Sequence, residues 1–337
     1  MMKKVLFLGL VLIGFLIIGI VLLNYETIEP IQTMGLDDKE DAAFLESEAF
    51  IAELEAKLGE KFLIDSFTAE MDGPFIEVDE ETMLTVYEIN GDTIQNKIDI
   101  ETNDDLLAIQ EDVELQQELW TLFQMIIPLE NRGNIVKFGF FTDGPDNTLA
   151  YVEQVEDDPT KWIVVIDLQD GTNLATVFAT LIHEYAHVLS LNDKEVEINE
   201  DVFFDGDEDL INDIREACQN LYLDEGCTNE DSYINQYYEM FWLDLQLDWE
   251  AEVIIDDEES VRQFYERHEE KFVNEYAATN IVEDFAETFT YFVLKPKPKG
   301  ENYIEEKLLF FYQFPELVEL RAKLLLGLEE YLDYKEK

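Results

Sequence analysis

Histidine is nearly absent from this chain, with three in 337 residues. Any site built on imidazole must draw on that short stock. Cysteine is scarcer still, at two, which excludes a cysteine-rich zinc module or a multiply bridged scaffold. Basic residues are few as well: 22 Lys+Arg stand against 78 Asp+Glu, for a formal net charge of −56. Such a surface repels phosphate backbones and anionic headgroups, which excludes nucleic acid as a partner and polybasic docking on membranes. It suits a cationic substrate, bound calcium, or a saline or alkaline exterior, and composition does not choose among these. The acid excess does not signal disorder, because 47% hydrophobic and 12% aromatic residues are globular values. The length allows one large domain or two small ones with ample core.

Charge is missing altogether from Val5 to Leu23, 19 residues that are apolar or glycine. As a helix they would span roughly 28 Å, close to the hydrocarbon core of a bilayer. No alanine precedes Ala42, so the small-residue cleavage site of a signal peptide is lacking, and no cysteine offers a lipid attachment point. Residues 1–24 therefore read as a transmembrane anchor, with secretion after signal cleavage as the alternative. Lys3 and Lys4, with no further basic residue until Lys39, place the N-terminus in the cytoplasm and the rest outside. Residues 25–41 read as a juxtamembrane stalk and 42–337 as the extracellular region. In that oxidising exterior Cys218 and Cys227 are expected to form a structural disulfide, worth roughly 2–3 kcal/mol in the chain-entropy model. No histidine or second cysteine pair lies near them at zinc-site spacing.

Along the chain, Ala42 to Lys61 reads as an acidic amphipathic helix. Met83–Ile89 and Thr93–Ile100 are β-rich runs around the turn signal Asn90-Gly91. Leu115, Leu119, Leu122, Phe123 and Ile126 recur at helical spacing, and Pro128 stops that helix. Strands are expected over Ile135–Phe141, Leu149–Val155 and Trp162–Asp167, with turns at Asp143-Gly144-Pro145 and Asp157-Asp158-Pro159. A helix follows over Leu174–Leu191, capped by Thr172 or Asn173, with Leu174, Val177, Phe178, Leu181 and Tyr185 as its core stripe. Residues 193–231 form an acidic insertion. Within it Asp205, Asp207 and Asp209 alternate around Gly206; calcium is one reading, but the spaced glutamate of an EF-hand loop is lacking, and a solvated loop fits better.

Two of the three histidines stand in His183-Glu184-Tyr185-Ala186-His187, an HExxH pentapeptide. Residues four apart on a helix share a face, so both imidazoles can reach one metal ion from a single turn. Glu184 lies beside that face, where a carboxylate can take a proton from water. This is the ligand arrangement of a peptide-cleaving zinc hydrolase. The bland alternative is two hydrogen-bonded histidines on a core helix.

Two histidines do not suffice for catalytic zinc, and a third protein ligand is required. Neither the glycine nor the third histidine of the metzincin pattern follows Val188-Leu189-Ser190. His268 lies in a highly charged helical run and reads as a surface residue. The better candidate lies in the stretch Asn274 to Glu287, where Asn280 can cap a helix with Glu283 in its first turn and Glu287 one turn on. A capping box with acidic first-turn residues also accounts for Glu283.

HEYAH followed downstream by Tyr-x6-Glu-x-Phe-Ala-Glu resembles the catalytic domains of anthrax lethal factor and the Pro-Pro endopeptidases. It is also similar to a set of little-characterised bacterial proteins regarded as zinc metallopeptidases. The resemblance covers two short stretches. It implies Glu283 as third zinc ligand, Tyr276 as hydrogen-bond donor at the scissile carbonyl, and Glu287 as the partner that orients a ligand histidine. About 95 residues separate His187 from Glu283, more than is expected for those relatives. That insertion could form a substrate-selecting subdomain or a lid.

The expected fold is α+β and zincin-like. A small mixed sheet packs against the HExxH helix, a helical C-terminal half follows, and an edge strand is free to pair with an extended peptide. The expected function is a membrane-anchored or secreted zinc endopeptidase with one Zn2+ per chain on His183, His187 and Glu283. Glu184 acts as general base, Tyr276 stabilises the oxyanion, and the partner is a peptide or protein substrate. The rivals are a non-catalytic acidic envelope protein that binds cations or a partner, and a cell-wall peptide amidase. The sequence does not fix the oligomeric state.

Overall fold

The computed structural model describes residues 81–335 apart from 145–147, 172–173, 207 and 255–256, and before these 44–45, 47–52, 76 and 78. The anchor, the stalk, the proposed caps Thr172 and Asn173, and Asp207 lie outside the described residues. Residues 44–45 and 47–52 are helical, in line with the first expected helix. Among the described residues no helix is long and apolar enough to cross a membrane.

Strand β1 (Thr82–Asn90) pairs antiparallel with β2 (Thr93–Asp99), and Asn90 faces Thr93 across the turn. The two-residue turn is thus Gly91-Asp92, one position later than the sequence suggests. Gly91 takes a φ of +60°, a conformation glycine adopts without penalty. Helix α1 (Val113–Ile126) is capped by Asp112, whose side chain accepts from the amide of Leu115. The buried Arg132 answers carbonyls at the other end, donating to Gln124 and Ile127, and it also binds Asp92 at 2.5 Å. One guanidinium thereby ties the helix terminus to the first hairpin.

Strands β3 (Ile135–Thr142), β4 (Ala150–Val155) and β5 (Asp158–Asp167) complete a five-stranded sheet in the order β2-β1-β3-β5-β4. The β3–β5 pair is parallel and the other pairs are antiparallel. Pro159 stands within β5, where a turn was expected. It precedes Trp162, at which pairing with β3 begins, so its missing N–H leaves that ladder intact. Phe138 and Phe140 face the main core, while Phe141, Ile163 and Val165 form a smaller apolar cluster on the opposite face.

Helix α2 (Leu174–Leu191) has the bounds its pattern predicts, and Val177, Phe178, Leu181 and Tyr185 are buried as a stripe. It packs against β4, an edge strand of the sheet. The acidic insertion holds regular elements, and the stretch around Gly206 that read as a solvated loop is flanked by two helices. Strands β6 (Val196–Ile198), β7 (Tyr222–Leu223) and β8 (Gly226–Thr228) build a three-stranded sheet in the order β6-β8-β7, with helices α3 (Glu200–Asp205) and α4 (Glu208–Ala217) between β6 and β7 in the chain. The Cys218–Cys227 disulfide staples α4 to that sheet. Gly206, at a φ of +60°, ends α3 as a left-handed cap.

The C-terminal half is helical: α5 (Tyr233–Phe241), α6 (Gln246–Glu252), α7 (Glu258–His268), α8 (Ile281–Leu294), α9 (Tyr303–Phe311) and α10 (Pro315–Lys335). Helix α8 lies at the centre and packs along α2. Phe285, Phe289 and Phe292 on α8 meet Phe311 of α9 at ring separations of 5.2–5.4 Å. The buried Arg321 donates to the carbonyls of Phe292 and Lys295, satisfying the end of α8. The result is an α+β fold with a small mixed sheet and a helical second half.

Candidate metal centre

The site arises where α2 and α8 run side by side. The i, i+4 spacing of His183 and His187 brings their rings to 4.7 Å between centroids, and both are buried. Asn280 caps α8, with its Oδ1 accepting from the amides of Val282 at 2.8 Å and Glu283 at 3.0 Å. That cap fixes Glu283 as the third residue of the helix. In a capping box the side chain there returns to the cap amide; Glu283 turns instead to the imidazoles.

His183 Nε2 and His187 Nε2 are 3.0 Å apart, and Glu283 Oε2 lies 3.1 Å from the first and 3.5 Å from the second. Tetrahedral zinc with bonds near 2.0–2.1 Å would hold such ligands about 3.3 Å from one another. The observed separations bracket that value, and Glu283 Oε2 makes no hydrogen bond of its own. The donor set and its spacing therefore fit a metal of the zinc class. In geometry the three residues could hold a metal ion.

Burial alone would raise the Glu283 carboxyl, but His187 and His183 together hold it well below the usual carboxylate range. Burial would likewise lower His183, but Glu283 and Glu287 outweigh it and raise the imidazole well above its ordinary value. Glu287 Oε1 faces His183 Nδ1 at 2.7 Å, which leaves Nε2 as the nitrogen turned toward the triad. Glu184 is buried next to these groups. Its burial pushes the carboxyl up, against the pull of both histidines, which favours a proton acceptor.

Tyr276 lies in a single helical turn, Tyr276–Ala278, with its ring centroid 5.9 Å from that of His183. The residue is 54% exposed, so its ring borders solvent rather than core. Desolvation of the hydroxyl and the charges of Glu283, Glu184 and Glu287 keep it a protonated donor. His268 is not part of the site; its ring lies tilted against Phe264 at 4.6 Å, on α7.

Three supports went unread in the sequence. Asn274 donates to Glu287 Oε2 at 2.5 Å and accepts from the Ala277 amide at 2.9 Å, so one side chain links the Tyr276 turn to the second acid. Asp284, next to Glu283, is fully buried and receives Lys307 at 2.5 Å, Trp242 at 2.6 Å and Tyr237 at 3.1 Å. That network fastens the first turn of α8 to α5 and α9. Lys307, at the head of the apolar run Leu308 to Phe311, was the available signal. Glu225, in the β7–β8 turn, interacts electrostatically with His187, so the disulfide-stapled insertion borders the site.

No protein family matches this chain, and neither the curated proteins nor the solved structures contain a significant relative.

Proposed function

We propose that the chain is a zincin-like, zinc-dependent endopeptidase, anchored in or secreted across a membrane, with its metal on His183, His187 and Glu283. The observation that carries this reading is the convergence of those three atoms from two helices, with Glu184 buried beside them. Bound zinc would act as a Lewis acid on water and on the scissile carbonyl. The chain's own residues supply the rest. Glu184 takes the proton from the attacking water at its carboxylate and returns it to the leaving amine. Tyr276 donates its hydroxyl to the carbonyl oxygen as negative charge grows there. Glu287 and Asn274 hold His183 in one ring orientation. The edge strand β4, beside α2, offers unpaired backbone groups along which an extended peptide can lie. The extracellular placement is supported by the apolar run Val5–Leu23 and by the disulfide.

A buried carboxylate one residue from a metal-ligating histidine favours catalysis over a purely structural metal, since a structural site needs no base. The test is metal analysis of the purified chain combined with turnover of a mixed peptide library. Glu184→Gln is expected to retain zinc and to lose turnover by several orders of magnitude. Undiminished cleavage by that variant would sink the mechanism, and a wild-type chain with no zinc after dialysis would sink the metal assignment.

A further inference from the structure

A second group of acids lies apart from the histidines. Asp143 follows the end of β3, Asp167 closes β5, and Asp170 stands in the turn leading to α2. One carboxylate oxygen from each lies within 4.8 Å of the other two, and all three residues are buried, at 7%, 0% and 2% exposure.

Their hydrogen bonding is unequal. Asp167 is well served: its Oδ2 accepts from the Asp143 amide at 3.0 Å, and its Oδ1 from the amides of Gln169 at 2.5 Å and Asp170 at 3.2 Å. Asp143 Oδ2 accepts from the Thr148 amide at 2.9 Å. By contrast Asp143 Oδ1 and both oxygens of Asp170 have no donor. The charges acting on Asp170 are those of Asp167 and Asp143, both negative. A buried carboxylate without donors, set among like charges, is strongly unfavourable unless something positive answers it.

We propose that Asp143, Asp167 and Asp170 bind one calcium ion, which fastens the ends of the parallel strand pair to the turn that launches the HExxH helix. The donors are oxygen only, which selects a hard cation over zinc. A buried cluster of carboxylates suits calcium, which accepts an irregular shell of protein oxygens. Magnesium, which retains most of its waters, is less suited. The site is distinct from the acidic stretch around Gly206. In the cation-free state burial raises the Asp167 carboxyl to about 6; burial and the two neighbouring acids raise that of Asp170 to about 7. Protons are therefore the competing way to neutralise the cluster.

The experiment uses the full-length, zinc-treated protein in high salt with excess magnesium, which suppresses loose binding by surface acids. Calcium uptake is measured by equilibrium dialysis and thermal stability by calorimetry. The wild type should take up one saturable calcium per chain and gain on the order of 5 °C in Tm. Asp170→Asn should lose both responses, melt above the calcium-free wild type because repulsion is relieved, and keep its zinc content. A wild-type chain that binds no more calcium than Asp170→Asn overturns the proposal in favour of protons. Magnesium competing on equal terms overturns the choice of ion. If Asp170→Asn does not fold, Asp143→Asn takes its place, and a wild type lacking a saturable calcium site is by itself decisive against the idea.

Discussion

The histidine site and the aspartate cluster both hold buried acids beside α2, yet they answer those acids in different ways. Around His183 and His187, Glu283 has two imidazoles in front of it, and Glu287 has His183 Nδ1 and the Asn274 amide. In the aspartate cluster backbone amides serve Asp167, and nothing serves Asp170. A mixed nitrogen and oxygen set is thus preorganised by its own partners and, on the proposed function, needs metal only for chemistry. An oxygen-only set needs a cation, or protons, merely to be buried. Removing metal should accordingly cost the first region its activity and the second its stability.

The largest effect that would break this contrast is at the third ligand. Glu283→Ala should lower zinc affinity roughly 10³-fold or more, since two histidines alone leave the set incomplete. His268→Ala should leave it unchanged, because that ring packs against Phe264 on another helix, α7. Zinc stoichiometry after dialysis decides between them. A histidine variant that loses metal, beside a glutamate variant that keeps it, would overturn the triad.

Tyr276 sharpens the contrast one step further, because its hydroxyl faces the triad without belonging to it. Tyr276→Phe keeps the ring and removes only the donor. Loss of one oxyanion donor costs ~10²–10³ in rate, so kcat should fall by that order with zinc content and KM nearly unchanged. An unchanged kcat would reduce Tyr276 to a rim residue, in keeping with its exposure.

The histidine pair was legible in the sequence because its information is local. Four-residue spacing and a continuous apolar stripe define α2 to the residue, from Leu174 to Leu191. The place of Glu283 in the helix was legible through its cap, since Asn280 marks where the helix begins and Glu283 follows three residues on, but its reading as a third ligand came from the resemblance. The aspartate cluster had no such signature. Asp143 and Asp167 meet only because β3 and β5 pair in parallel, with β4 placed at the edge, and a parallel register leaves no short-range mark. Asp143-Gly144 read simply as a turn. The stretch around Gly206 read as a solvated loop because its acidic residues hid the two short helices that flank it, and nothing local announced the small sheet held by one disulfide. The Lys307–Asp284 pair left a signal only at Lys307, for its partners come from three helices.

Asn274 offers the smallest and most specific test. It is neutral, it touches neither metal-binding nitrogen, and it contributes through Glu287 and the Ala277 amide alone. Asn274→Ala would leave Glu287 Oε2 without its donor and loosen the turn that carries Tyr276. The imidazole of His183 would then be held by one contact of Glu287 rather than by a carboxylate itself fixed in place. Outer partners of metal ligands typically contribute 10–100-fold in affinity or activity. A residue one step further out should fall at the low end, so a loss of about 10-fold in zinc affinity is expected, with a similar fall in kcat. Asn274→Asp separates geometry from charge. It preserves the acceptor for the Ala277 amide but sets a second carboxylate against Glu287, so it should be worse than alanine at neutral pH. If aspartate is instead tolerated as well as asparagine, Glu287 does not depend on that donor. The preorganisation that distinguishes the histidine site from the aspartate cluster would then have to come from the packing of α2 against α8 alone.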